Sequence, residues 1–513
     1  MRALIQRVVL WLFLIGMGTA ARAEWLEAST NHFVVYGNVP LRKITTFADK
    51  LERFGAAVRY LFELPEPEGG ASNRVVIYLV SGIGGVQRYY GGRTDGVAGF
   101  YRNRPEGPVI FTPDSVDSPD LSLAADEILF HEFTHHMLLS NSAAIYPGWL
   151  SEGLAEVLGT AMFVEKGAVR LGAPLNSRAS AILTDSPMRV RDLLDLDGRD
   201  LNTSQLSQKY ARGWLLTHYL LLSGKRAGQY RAYYELLAKG VKSVDAGAQA
   251  FGDLRELDRD LNRYRSTGFN SVVIPADRLM VEPVVTRALS RGEAAMMPHW
   301  LSLAAGLDDA EARKIVTGAR KIAAEHPTEA WVQRVAAELE YRAGNLAEAE
   351  AAADRALAIE PKNLMAMTTK ARAQLLRAIK AEPRDRALFT QARSTIVKAN
   401  RLDPDFALPL VLFYTSFRAS GEPARPNAVD GLLRAVELAP RSDSVRLLAF
   451  GALLDRDDLP GARRMLAPVA FSPHARADNP ARTVLAQIDD GADLATVRAA
   501  AVHAKLIGNQ GND

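Results

Sequence analysis

The sequence predicts an α+β domain followed by an all-α helical solenoid. Three observations lead there. Short β-rich runs alternate with helix-period stretches over residues 24–118, and a longer helical pattern follows. Inside that pattern, His131-Glu132-Phe133-Thr134-His135 interrupts an apolar segment. After Trp300 the chain turns alanine-rich, with prolines recurring at 327, 361, 404 and 440.

Composition bounds the function classes. The 513 residues suggest roughly three domains. Hydrophobic residues are 48% and charged residues 24%, an ordinary globular balance that excludes a mainly disordered or collagen-like chain. The formal charge of +3 sits in Arg2, Arg7 and Arg22, since the first 23 residues hold no acid. The remainder is neutral, so there is no electrostatic case for nucleic acid or an anionic membrane as the main partner. Cysteine is absent, which excludes disulfides, thiolate metal sites and cysteine nucleophiles.

The N-terminal residues 1–23 have the layout of a secretory signal peptide. Arg2 and Arg7 precede a short apolar run from Val8 to Gly18, and Ala21-Arg22-Ala23 supplies a small-x-small cleavage site before Glu24. A transmembrane helix needs about 20 apolar residues, and neither this run nor a later one is that long. The expectation is an exported protein, periplasmic or secreted, with no stable membrane span after cleavage.

Residues 24–268 form the expected first domain. His32 to Tyr36 is a short strand candidate. Leu41 to Leu64 is helical, with Phe47, Leu51, Phe54, Val58 and Leu61 on one face. Val75 to Val80 is a buried strand candidate. Val97–Tyr101 and Val109–Thr112 read as a hairpin around a polar turn. From about Leu121 to Arg265 the pattern is mostly helical. Residues 269–299, with β-branched runs and prolines, read as a connector, and 300–508 as helical repeats. The clearest unit runs from Thr328 to Pro361, with small residues at Ala337, Gly344, Ala349 and Ala356. It resembles the tetratricopeptide repeat, whose small residues let antiparallel helices pack closely and whose last proline stops the second helix. The proline spacings of 34, 43 and 36 residues place an insertion in the second unit.

The residues that carry chemistry lie between these halves. On a helix, i and i+4 share a face, so His131 and His135 can present two imidazoles to one metal, and neutral imidazole suits zinc. Glu132 sits beside them, placed to act as general base on water. A chance match to this pattern is expected in roughly one such chain in a hundred. A third protein ligand is needed, and Trp149-Leu150-Ser151-Glu152-Gly153-Leu154-Ala155-Glu156 offers Glu152. Glu156, one turn on, is placed to hold the far ring nitrogen of a ligating histidine. A developing oxyanion needs a donor besides the metal; Tyr210 is the first candidate and His218 the second. His136 faces away from the pair and reads as structural. No phosphate-binding glycine loop and no nucleophile elbow occurs.

The pairing of His-Glu-x-x-His with Trp-Leu-x-Glu-Gly-x-Ala-Glu resembles the gluzincin metallopeptidases, and within them the bacterial peptidase MA-like (DUF1570-type) proteins. The resemblance covers roughly residues 25–264. It includes Tyr210-Ala211-x-Gly213-Trp214 with His218-Tyr219-Leu220, and Ala250-Phe251-Gly252. It implies a gluzincin-like fold of mixed sheet and helical subdomain. It also implies one Zn2+ per chain held by His131, His135 and Glu152, and Glu132 as general base. Two features depart from the aminopeptidase branch. Ser151 stands where that branch has Asn, and the strand region 96–101 lacks its Gly-x-Met-Glu-Asn motif. The resemblance therefore implies an endopeptidase acting on a peptide or protein substrate. The rival reading makes the repeats a protein- or peptide-binding module and the metal domain structural. Glu132 separates the two, because a structural zinc site is closed by four protein ligands and needs no adjacent base.

Overall fold

The computed structural model describes residues 24–66, 71–91, 97, 99–115, 125–140, 146–174, 179–184, 186–196, 199–471 and 478–508. The signal segment 1–23 and parts of the expected hairpin (96 and 98) lie outside these residues. No helix among the described residues is long and apolar enough to cross a membrane.

A six-stranded mixed sheet forms the first layer. Its strands are β1 (Leu26–Ser29), β2 (Phe33–Gly37), β3 (Val75–Val80), β4 (Phe100–Arg102), β5 (Val109–Pro113) and a distant β9 (Val285–Ala288), in the order β4-β5-β3-β2-β1-β9. β2, β3 and β5 run parallel, with Val34 opposite Val76 and Val76 opposite Val109. β4 closes one edge antiparallel to β5, pairing Phe100 with Phe111, as the hairpin spacing predicts. A three-stranded sheet joins β6 (Met162–Phe163), β7 (Val169–Leu171) and β8 (Val272–Ile274).

Helices cover the sheet and extend from it. They are α1 (Leu41–Phe62), α2 (Gly82–Tyr90), α3 (Ala125–Ser140), α4 (Gly148–Gly159), α5 (Ala179–Ile182), α6 (Val190–Leu194), α7 (Thr203–Leu222), α8 (Gln229–Ala238), α9 (Ser243–Phe251) and α10 (Leu254–Tyr264). α1 buries Leu51, Phe54 and Val58 of the predicted face together with Ile44 and Ala48, while Phe47 and Leu61 at its margins are half-buried. One core cluster runs from the inner sheet residues Val35 and Ile77 through α1 to Phe130, Leu154 and Trp214.

Residues 269–299 are more than a connector. They hold β8, β9 and the start of α11 (Arg291–Ala304). β9 pairs with β1, Leu26 against Ala288, and so completes the first sheet from far along the chain. α11 begins with a capping box between Ser290 and Glu293 and carries Pro298 in its interior. The β-branched residues and prolines that suggest a linker instead make an edge strand and a helix entry, and only their distant partners distinguish the two outcomes.

The repeats are successive antiparallel helix pairs. α11 pairs with α12 (Asp309–Glu325), α13 (Ala330–Ala343) with α14 (Leu346–Ile359), and α15 (Leu364–Lys380) with α16 (Arg386–Leu402). α17 (Ala407–Ser420) pairs with α18 (Pro426–Leu438), α19 (Asp443–Leu454) with α20 (Leu459–Ala470), and α21 (Pro480–Asp489) with α22 (Leu494–His503). Pro327, Pro361, Pro404 and Pro440 fall between pairs, where a missing N–H and a fixed φ end the preceding helix. The insertion in the second unit lengthens both helices, to 17 residues each against 14 and 14 in the unit before, and the loop between them. Small residues carry the contact: Ala337, Ala352 and Ala353 form a buried cluster of their own.

The two halves are tied together. Met297, Leu301 and Ala304 of α11 pack in one buried cluster with Tyr78, Phe100 and Phe111 of the sheet. Ser72 Oγ donates to Asp403 Oδ2 at 2.5 Å, Asn73 Nδ2 donates to the Asp405 carbonyl at 3.1 Å, and Arg372 lies 3.5 Å from Glu106.

Candidate metal centre

α3 carries His131, Glu132 and His135, and its orientation follows from its aromatic residues. Phe130 stacks on Phe54 of α1 at 4.5 Å between ring centres, and Phe133 meets Phe33 of β2 edge-on at 4.9 Å. That anchored face turns the two histidines towards α4. Every residue of α4 from Trp149 to Gly159 is buried, so its two glutamates are interior groups and not a solvated face.

The backbone of α4 approaches α7 very closely at Gly153. A Cβ there would stand 2.6 Å from the Gly213 carbonyl oxygen, and one on Gly213 would stand 2.8 Å from that of Trp149. This glycine pair seats α4 and hence sets the depth of the neighbouring Glu152. Trp149 anchors the start of the helix, its Nε1 donating to Tyr233 Oη at 3.3 Å.

Three side chains converge. The Nε2 atoms of His131 and His135 lie 3.2 Å apart, and Glu152 Oε2 lies 3.3 Å from the first and 3.6 Å from the second. Ligand atoms about 2.0–2.1 Å from a tetrahedral zinc stand roughly 3.3 Å from one another, so these spacings fit that ion. The electrostatics agree. Glu152 is 1% exposed, and neither carboxylate oxygen has a hydrogen-bond partner. A buried anion so placed requires a compensating cation, which a protonated imidazole or a metal ion between the three side chains can supply. Burial pushes the Glu152 carboxyl up, but the charge of His135 and the closeness of both imidazoles hold it well below the usual range. Burial pushes His131 down, yet Glu152, with Glu132 and Glu156 behind it, raises it to about 9. Among the described residues, these three form the one group of histidines and acids close enough to hold a metal ion.

The surroundings orient the two imidazoles. His135 Nδ1 lies 3.1 Å from Ser151 Oγ, so its N–H can donate there while Nε2 faces the centre. Ser151 therefore has a role that its sequence position did not reveal. Glu156 Oε1 stands 3.9 Å from His131 Nδ1, an ion-pair distance longer than the hydrogen bond expected. Glu132 makes no hydrogen bond or ion pair among the described residues, which leaves its carboxylate available to a water molecule.

The two oxyanion candidates differ in surroundings. His218 is fully buried in α7, with Nδ1 2.9 Å from Tyr264 Oη and Nε2 3.1 Å from the Gly172 carbonyl, so both ring nitrogens are engaged in packing. Tyr210 is half-buried on the same helix, one turn before Gly213. His136 faces away from the pair, as its position implies: it stacks on Phe133 and lies 3.0 Å from Tyr101 Oη. Burial and the charge of Arg441 lower it to about 4. Tyr101 on β4 and Arg441 in the repeats thus stand beside His136, a neighbourhood that no motif signals.

No family model and no curated protein matches the chain. Among solved structures, the chain is similar to a thermophilic tetratricopeptide-repeat protein of Thermus thermophilus. The identity is 20%, the match covers 38% of this chain and 98% of that one, and the TM-score is 0.32. The stack of helix pairs is defined here by its own packing.

Proposed function

We propose that the chain is an exported zinc-dependent metallopeptidase of gluzincin type that acts as an endopeptidase. The observation that supports it best is the convergence of His131, His135 and the buried Glu152 within reach of one ion, beside Glu132. Bound zinc would act as a Lewis acid and lower the pKa of a water to about 7. Glu132 accepts the proton of the attacking water and passes it to the leaving amine. Ser151 and Glu156 hold the two imidazoles, and Tyr210 donates to the oxygen that gains charge.

The test is metal analysis of the purified chain with cleavage of an unbiased peptide library. One zinc per chain is expected, with peptide hydrolysis that Glu132→Gln abolishes while zinc is retained, because Glu132 is not a ligand. Undiminished cleavage by this variant would sink the mechanism. Stoichiometric zinc without any cleavage would favour the second reading, a repeat-based binding module with a structural metal domain.

A further inference from the structure

A cavity of about 920 Å³ opens between the two halves of the molecule. One wall is the outer face of α3, with Phe133, His136 and Met137, together with Tyr101 of β4. The facing wall is the end of α18 and the turn into α19, Leu438 to Arg441. Pro440, which ends one repeat, thus also delivers the next residue, Arg441, to the metal domain. The turn is braced: Ser442 N donates to the Ala439 carbonyl at 2.9 Å, and Arg446 Nε donates to the Pro440 carbonyl at 2.6 Å.

The charges in this cavity do not balance. Glu66 is taken by His32 at 2.8 Å and Arg59 at 3.0 Å, and Glu437 by Arg434 at 2.8 Å. Arg104 and Arg441 form no salt bridge among the described residues, and Arg104 Nε is buried without a hydrogen bond. Asn103 Nδ2 is likewise buried and unpartnered. Arg441 lies within electrostatic reach of Tyr101, Asp443 and Glu132, but none of them meets it in an ion pair. His136, which lines the cavity, stands one turn on from Glu132 on the same side of α3, so Arg441, contributed from more than three hundred residues along the chain, faces the helix that carries the general base.

We infer that this cavity is a carboxylate subsite of the peptide site, and that Arg441 of the repeat stack is its specificity-determining cation. A planar guanidinium suits a carboxylate in two-pronged contact, and a cleft of one sign concentrates the opposite one. The carboxylate can come from an Asp or Glu side chain near the scissile bond or from a free C-terminus. Arg104 and Asn103 supply further donors. The inference deepens the metallopeptidase proposal and rests on it for the bond that is cut, but the subsite itself is read by binding.

The experiment uses the full zinc-loaded chain. Binding is measured on the Glu132→Gln variant with octapeptide pools of three kinds: carrying Asp and Glu with a free C-terminus, the same with Asn and Gln, and the same with an amidated C-terminus. Cleavage of the same pools is measured on the unmodified chain. Carboxylate peptides are expected to bind about 10–100-fold tighter than pools lacking the relevant carboxylate, the scale of a charged hydrogen-bonded pair. Loss in the Asn/Gln pool alone assigns the side chain, and loss in the amidated pool alone assigns the C-terminus. Arg441→Gln should collapse the preference towards unity, and Arg441→Lys should restore part of it, with zinc content and melting temperature monitored in each. Arg104→Gln gives an independent, smaller loss should the Arg441 variants fold poorly. Equal binding of all pools, no binding of any, or a preference that survives Arg441→Gln overturns the subsite. Intact carboxylate binding without cleavage overturns the peptidase proposal alone.

Discussion

Gly153→Ala tests whether the helix contact behind Glu152 sets the metal site. The new Cβ would collide with Thr217 Oγ1 and stand 2.6 Å from the Gly213 carbonyl oxygen and 2.9 Å from its carbon. The threonine side chain can rotate, but the Gly213 carbonyl belongs to the buried backbone of α7 and moves only with that helix. Reaching an ordinary contact near 3.4 Å requires α4 to withdraw by about 0.8 Å. Zinc–ligand distances tolerate about ±0.2 Å, so a shift of that size at Gly153 displaces Glu152 from its place. Overpacking of this kind costs about 1–3 kcal/mol, a fall in melting temperature of about 2–10 °C for a domain of this size. Zinc affinity should fall at least about tenfold if Glu152 is the proposed third ligand, since it is then misplaced. Thermal unfolding of the metal-free protein and competition against a chromophoric chelator read the two effects separately. Gly159→Ala is the control: its Cβ would lie 3.3 Å from the Glu127 carbonyl oxygen and 3.5 Å from His131 N, so the change should stay below about 1 kcal/mol. A Gly153→Ala protein with wild-type zinc affinity and a melting temperature within about 1 °C of wild type would refute the reasoning.

Ser151→Ala removes the hydroxyl facing His135 Nδ1 and should weaken zinc binding by about 10–100-fold; an unchanged affinity in the chelator assay returns Ser151 to mere packing. Glu156→Ala should act in the same direction through His131. Glu52 is buried, accepts from the His32 backbone at 2.9 Å and lies 2.8 Å from the ring Nδ1; these contacts outweigh burial and hold its carboxyl below the ordinary value of 4.5. Its stabilisation is therefore present above about pH 4.5 and lost as pH falls through the depressed folded value, so Glu52→Gln should flatten the acid limb of a urea-denaturation series; an unaltered limb counts against it. A chain ending after Gly268 loses β9 from the sheet and Met297 and Leu301 from the Tyr78–Phe100–Phe111 cluster, and should aggregate or lose zinc; a soluble, zinc-loaded 24–268 chain would show that the later residues are dispensable.

What the sequence determined by itself is what local periodicity encodes. Residues four apart share a helix face in any environment, so His131 and His135 could be paired before a fold was known. Glu152 could be added because its flanking apolar and small residues mark a buried helix. Prolines end helices through their own ring, so the repeat boundaries at 327, 361, 404 and 440 were legible, as were the α1 face and the β4–β5 hairpin. What only the tertiary structure decided are contacts between residues with no periodic relation. Val285–Ala288 reads as linker until β1 lies beside it, because a strand is defined by its partner. The apolar run around His218 already ranks it behind Tyr210, but its partners, Tyr264 and the Gly172 carbonyl, come only from the fold. Ser151 becomes a partner of His135 only through the approach of α4 to α3. Arg441 is an ordinary arginine after a proline until the repeat stack docks on the sheet and brings it to the cavity lined by Tyr101 and His136. Such pairings depend on how surfaces far apart in the chain fit together, and one sequence without the fold holds no signal for them.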